Sequence, residues 1–295
     1  MAIVTSSLLD VAQLAVLDAA AGKDVADLPR FLRTVPEVGS VVELVGASAS
    51  GKTEALMAVA VQAAMPVAFG RHWVGGRGVQ QVVYVDLDFK LSVLRLAHVL
   101  ERAVRRAIKR DTDDDVEDAV RKVVAQSLAR IRIVRCSEWR QVIDLVEGMA
   151  TTAASVPSST LLIFDAISFS HWRDRLLGES RMAQSVNERH LVGVLRSLLK
   201  ASRNTAIVVS KAALYYNGSA TSTSGLFKEF MSPSWSGFVT QRYVLATNAA
   251  SQIRVVQTHP PPPSAAMGTW TITIGPDGIL SVPANKPAFP SSRPS

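Results

Sequence analysis

Gly46, Gly51, Lys52 and Thr53 stand in the spacing G-x-x-x-x-G-K-T within the stretch Glu43 to Met57, ELVGASASGKTEALM. Each residue type has a task on a polyphosphate. The glycines let successive backbone N–H groups turn inward around the phosphates, the lysine ammonium reaches the outer ones, and the threonine hydroxyl ligates Mg²⁺. The loop Gly46, Ala47, Ser48, Ala49, Ser50, Gly51, Lys52 and Thr53, with Glu54 after it, is therefore a candidate nucleotide site, and Lys52 is also a candidate catalytic cation. A Gly/Ser-rich turn that only caps a helix has similar composition, so the flanks decide. Ser40 to Val45 is a short apolar, β-branched run and Lys52 to Met65 carries apolar residues at helical spacing, which sets the glycines between a strand and a helix N-terminus, where the dipole favours anions.

Magnesium on a nucleotide also needs a carboxylate at the end of a neighbouring strand. Asp165 closes the apolar strand Leu161, Leu162, Ile163, Phe164 and is the candidate metal residue beside Thr53; a strand-end Asp can equally cap the next helix, and the loop beside it favours the metal role. A further strand, Gln81 to Val85, runs into Asp86, Leu87 and Asp88. Asp88 is placed to orient an attacking water and is the second candidate catalytic residue, although Asp reaches about one methylene less far than Glu. Asp86 is suited to capping the turn, and either acid can be a solvated strand-end group.

These residues need strands and helices in alternation to bring them together, and the sequence supplies them. Strands Ser40–Val45, Gln81–Asp86, Arg130–Arg135, Thr160–Asp165 and Thr205–Ser210 alternate with helical periods over Lys52–Met65, Leu91–Arg110, Glu138–Met149 and Val186–Ser202, the pattern of an α/β fold with a mostly parallel sheet covered on both faces. Ser7 to Ala21 reads as an amphipathic helix. Asp111 to Asp118 (DTDDDVED) reads as an acidic loop or helix start. After Lys211 the chain turns to a Ser/Thr/Gly-rich loop, Asn217 to Gly225, and then to short strands at Gln241–Ala246, Gln252–Gln257 and Trp270–Ile274 with no helical period between them, an antiparallel extension. His259 to Ser264 (HPPPPS) breaks that ladder, and the tail from Val282 reads as disordered. The expected boundaries are 1–36 for an N-terminal helix and linker, 37–281 for the core and 282–295 for the tail.

At 295 residues and 48% hydrophobic, the chain can bury a substantial core. Its single cysteine, Cys136, excludes an intrachain disulfide framework and a Cys-based metal site, and after the apolar run Ile131 to Val134 it reads as a small buried hydrophobe. The net charge of +7 and pI near 9.8 lean toward a polyanionic partner. No run of 18 apolar residues and no basic-then-apolar leader is present, so a soluble intracellular protein without membrane attachment is expected.

The order of GASASGKTEAL, then VVYVDLDFKLSVLRLAHVLE, then TLLIFDAISFSHWRDR resembles the ATPase core of RecA-type recombinases, and within them the eukaryotic recombinase paralogues. The D-x-D followed by an LRL helix, the SFSHW-R-DR run and the later PSW-x-x-F-V-x-x-R carry the likeness, which spans roughly residues 36 to 280. The resemblance implies a RecA-like P-loop ATPase core with an antiparallel C-terminal extension, ATP and Mg²⁺ as cofactors, and a role in homologous recombination and double-strand-break repair. It further implies a nuclear subunit of a hetero-oligomer with other recombinase paralogues, acting on single-stranded or branched DNA. Family roles fall on Lys52, Thr53 and Asp165. The family's catalytic glutamate falls on Asp88 and its γ-phosphate-sensing glutamine on Lys211, two departures that point to slow turnover. The helical N-terminal DNA-binding domain of the full-length recombinases has no counterpart here. By the same analogy two loops touch DNA: His171 to Gln184, where Arg173, Arg175 and Arg181 stand near Trp172, and Tyr215 to Ser234. The plainer reading packs Trp172 in the core and leaves the arginines solvated. Arg102, Arg106 and Arg110 on one helix, and Arg189, Arg196, Lys200 and Arg203 on another, form basic stripes that suit DNA or plain solvent.

Three function classes stay open on the sequence: an ATP-binding repair subunit whose nucleotide organises assembly and DNA binding, as a DNA-dependent ATPase of low turnover; a phosphotransferase on the same loop; and a nucleotide-binding scaffold without turnover. The intact G-K-T favours binding, and no Arg-rich lid or acceptor pocket stands out for a kinase.

Overall fold

The structure is a computed structural model and describes residues 28–281 except 34–35, 71, 109–115, 154–158, 179, 203, 214–228, 248–251, 262–267 and 277. The expected helix over Ser7–Ala21, the loop Asn217–Gly225 and the tail from Val282 lie outside these residues. A short helix α1 (Arg30–Arg33) leads into strand β1 (Val41–Gly46), the glycine-rich loop and helix α2 (Lys52–Ala64). A two-stranded ribbon, β2 (Ala68–Phe69) and β3 (His72–Trp73), precedes β4 (Gln81–Asp86). Then follow α3 (Val93–Ile108), α4 (Val116–Ala129), β5 (Ile131–Arg135), α5 (Trp139–Ala153), β6 (Thr160–Asp165), α6 (His171–Leu176), α7 (Arg181–Ala201), β7 (Thr205–Ala212) and α8 (Pro233–Ser236). Strands β8 (Gln241–Thr247), β9 (Ile253–His259), β10 (Thr269–Gly275) and β11 (Gly278–Ser281) complete a nine-stranded sheet of order β11-β10-β9-β8-β1-β7-β6-β4-β5.

Strands β8, β1, β7, β6, β4 and β5 run parallel, so β1, β4, β6 and β7 all end at one edge of the sheet, where the candidate site stands. Both faces are covered, which is why these strands read as unbroken apolar runs. Apolar residues of α2, α3 and α4 pack on one face with Leu44, Val82, Tyr84 and Ile163, and those of α5 and α7 pack on the other with Val41, Val83, Leu162 and Phe164.

The expected core strands are all present. Of the two readings of the acidic run, the helix start holds: α4 begins at Val116 and turns Ala119, Val120 and Val123 inward. The C-terminal extension differs in one respect. Its first strand, β8, pairs parallel with β1 on one side and antiparallel with β9 on the other, and the antiparallel pairing continues through β10 to β11, which was not anticipated. The stretch His171–Gln184, expected as a loop, holds α6 and the first turn of α7, which Ser180 caps by accepting the Ala183 N–H at 3.2 Å.

Candidate functional site

The loop after β1 is bent by its backbone. Gly51 has φ 83° and Ala49 φ 58°, both left-handed, and a Cβ on Gly51 would stand 2.5 Å from Ile253 Cδ1 and 2.7 Å from Ile274 Cδ1. A Cβ on Gly46 would collide with Ser50 Oγ and lie 2.8 Å from the Leu245 carbonyl oxygen. The two glycines therefore let the loop lie against strands β8, β9 and β10. Within it Ser50 is buried, while Ser48 and Ala49 are exposed. Lys52 turns back across the loop and its Nζ donates to the carbonyl oxygens of Gly46 (2.8 Å) and Ala47 (2.7 Å). Gly51, as N-cap of α2, supplies no side-chain acceptor, so the first N–H groups of the helix face the loop uncapped. Thr53 is half-buried in the first turn. Glu54 is committed elsewhere: its carboxylate accepts Arg95 Nε and Nη2 at 3.1 Å each, and Arg95 also donates to the carbonyls of Gly275 (2.8 Å) and Pro276 (2.6 Å), tying α2 and α3 to the β10–β11 turn.

Three carboxylates stand across from the loop, with Asp86 and Asp165 in register on adjacent strands. Asp165 is buried and accepts Tyr84 Oη (2.9 Å) and Ser210 Oγ. Burial pushes the Tyr84 phenol well up, and the Asp165 charge adds to it, so Tyr84 stays a donor. Asp86 serves the turn: Oδ1 accepts the N–H groups of Lys90 (3.1 Å) and Leu91 (3.5 Å), and Oδ2 accepts Arg135 Nε at 3.2 Å. Asp88 is held by Lys90, whose Nζ lies 2.7 Å from Oδ2, and its Oδ1 is buried without a hydrogen-bond partner. Burial raises the Asp88 pKa, and the hydrogen bond from Lys90 works against it. Burial lowers that of Lys52, with Asp165 and Asp88 raising it and Lys90 lowering it, so these charges surround one space.

Lys211 stands apart. Along β7, Ser210 faces Asp165 and the loop, so Lys211 points to the opposite face. There its buried ammonium lies 2.8 Å from Glu43 Oε1 and 2.8 Å from Glu229 Oε2. Arg242 pairs with Glu43 and lies 3.2 Å from Glu229, and Trp235 Nε1 donates to Glu43 at 2.7 Å. Glu229 also accepts the N–H groups of Phe230 (3.0 Å) and Met231 (3.1 Å). Burial raises the Glu229 pKa, yet the Lys211 ammonium and its hydrogen bonds outweigh this and the net shift is downward. Lys211, onto which the resemblance places the family's sensing glutamine, is thus locked in a four-charge cluster beneath the site, and Trp235 is both core and donor.

The structure brings Gly46 to Thr53, Asp165 and Asp88 to one sheet edge. The side chains of Trp172, Arg173, Arg175 and Arg181 lie outside the described residues, as do Arg110 and Arg203; backbone helices α6 and α7 carry the three arginines of that stretch. Of the basic stripes, Arg189 Nε donates to the Ser185 carbonyl (3.2 Å) and Arg196 lies 5.7 Å from the Phe238 ring centroid. Sequence reading missed Tyr84, Ser210, Lys90 and Arg95, because a Tyr or Ser inside a strand and a cation after a turn have no local signal. Cys136 is buried, as expected, and burial raises its thiol pKa. Among the described residues no three His, Cys, Asp or Glu side chains group to hold a metal, and no helix is long and apolar enough to cross a membrane.

No family model matches the chain. It is similar to the DNA repair protein XRCC2 homolog of Arabidopsis thaliana, 24% identical over 279 residues, covering 76% of this chain and 73% of that protein. It is also similar to the DNA repair protein XRCC2 of Mus musculus, 28% identical over 149 residues, where the match spans 50% of this chain and about half, 47%, of the mouse protein. Among solved structures it resembles the crystal structure of the RadB recombinase, with TM-score 0.54 at 16% identity over 83% of this chain and 91% of that one, a likeness of fold.

Proposed function

We propose that this chain, a RecA-like recombinase paralogue of the XRCC2 type, binds ATP with Mg²⁺ at the 46–53 loop and acts in homologous recombination and DNA double-strand-break repair. One observation carries the nucleotide reading: a glycine-bent loop with its lysine folded into it and an uncapped helix N-terminus behind it stands across one sheet edge from Asp165 and from Asp88, which has a buried, unpartnered oxygen. Those donors and that acceptor fit a nucleotide polyphosphate with a hydrated cation. Lys52 and the α2 N-terminus would hold the phosphates; Thr53 and Asp165 would hold Mg²⁺, which supplies charge neutralisation of the phosphate oxygens when bound. Asp165, fixed by Tyr84 and Ser210, keeps its orientation without the ion. Asp88, about one methylene shorter than a glutamate, would orient water poorly, so turnover is slow and nucleotide chiefly organises assembly.

The ATP-binding unit is residues 37–281. The chain works in the nucleus within a hetero-oligomer of other recombinase paralogues on single-stranded or branched DNA. Two measurements test this. Lys52→Ala should weaken Mg-ATP binding about tenfold or more with an unchanged circular dichroism spectrum, because a charge-assisted contact is lost and little packing with it; equal affinity in both proteins overturns the nucleotide site. A pull-down with mass spectrometry should recover recombinase paralogues, and recovery of metabolic enzymes alone overturns the repair role.

A further inference from the structure

We propose that Lys90 is a second cation for the terminal phosphate of the bound nucleotide, so that this site tells a nucleoside triphosphate from a diphosphate by a side chain outside the glycine-rich loop. The inference rests on the nucleotide reading above and adds a residue and a selectivity to it.

The root of Lys90 is fixed. Asp86 Oδ1 accepts its N–H and that of Leu91, and Phe89, with φ 58°, turns the chain back at the end of β4. The ammonium is held over the sheet edge, 2.7 Å from Asp88 Oδ2, in electrostatic reach of Asp165 and Asp86 as well as of Lys52. Its side chain is 68% exposed, so the four-carbon stem can swing without disturbing the core. The other cations at these strand ends are committed: Arg135 to Asp86, and Lys211 to Glu43 and Glu229 on the far face. A triphosphate brings roughly one more unit of negative charge and an additional phosphate group than a diphosphate, and a phosphate oxygen competes with one aspartate for an ammonium. When Lys90 turns to that phosphate, Asp88 loses its partner, and both of its oxygens then face the site. One exchange of ion pairs thus couples triphosphate occupancy to release of the carboxylate.

Equilibrium titration of the full chain with Mg²⁺ and either ADP or a non-hydrolysable ATP analogue tests the assignment. Lys90→Gln should weaken the triphosphate about tenfold and ADP less than about twofold, while Lys90→Arg keeps most of the preference. Asp88→Asn should tighten triphosphate binding a few-fold, roughly threefold, in the parent and leave it unchanged in the Lys90→Gln background, because only a free partner exchange couples the two residues. Equal loss of both nucleotides in Lys90→Gln, or loss of neither, overturns the role of Lys90 while the nucleotide site stands. A parent protein that binds neither nucleotide overturns the underlying reading, and this inference with it.

Discussion

Asp88 shows how little separates binding from catalysis at a single residue. Its carboxylate stops about one methylene, or roughly 1.5 Å, short of where a glutamate would reach, and misplacement on that scale costs on the order of a hundredfold in rate. Asp88→Glu should restore reach and raise ATP turnover, while Asp88→Asn should remove the residual turnover without weakening nucleotide binding. Steady-state phosphate release, measured with and without co-purified partners, decides this; an Asp88→Asn protein as fast as the parent in both settings removes Asp88 from the chemistry and favours a scaffold. Asp165 differs in kind, because Tyr84 and Ser210 already satisfy its oxygens. Asp165→Asn should shift the Mg²⁺ titration of nucleotide binding to higher metal, and an unchanged titration returns Asp165 to a structural cap.

At the scale of elements, the four-charge cluster of Glu43, Lys211, Glu229 and Arg242 joins β1, β7 and β8 to the segment that leads into α8. Removing one member of a buried pair leaves an uncompensated charge and typically costs about 3–5 kcal/mol. Lys211→Met should therefore lower the urea midpoint strongly, and the double change Lys211→Met with Glu43→Gln should recover part of the loss; additive losses argue against a coupled cluster. Acid should loosen the same latch. Because the folded pKa of Glu229 lies below its unfolded value of about 4.3, its contribution is present above that pH and is lost as pH falls through the folded value. Thermal melts of the parent and of Glu229→Gln should differ above the unfolded value and converge as pH falls through the lower folded one.

For the whole molecule, net charge +7 and the arginines of α6 and α7 frame the expectation of DNA contact. Each phosphate neutralised on a single strand adds about 0.7 to the slope of log affinity against log salt. Replacing Arg173 and Arg175 together by Gln should flatten that slope for single-stranded DNA and leave nucleotide affinity alone. A slope identical to that of the parent assigns this segment to a protein partner instead.

The alternation of apolar runs and helical periods was enough to read the parallel core, and the G-K-T spacing with an apolar strand ending in Asp165 was enough to read the two halves of the candidate site, because these signals are local: backbone conformation at a glycine, burial on both faces of a strand, a charge at a strand end. The acidic run left a loop and a helix start both open, and the packing of Ala119, Val120 and Val123 decides for the helix; the parallel pairing of β8 with β1 has no local signal, because strand direction depends on which strand it meets. Only tertiary structure decided the side chains' allegiances. Lys211 and Ser210 are neighbours in sequence, yet the two-residue period of a strand sends one to the carboxylates of Glu43 and Glu229 and the other to Asp165. Register set Tyr84 beside Asp165 and left Asp86 to its turn, and a left-handed residue at Phe89 carried Lys90 back onto Asp88. These are contacts between residues tens of positions apart or across a reversed turn, and no spacing within a single run of sequence encodes them.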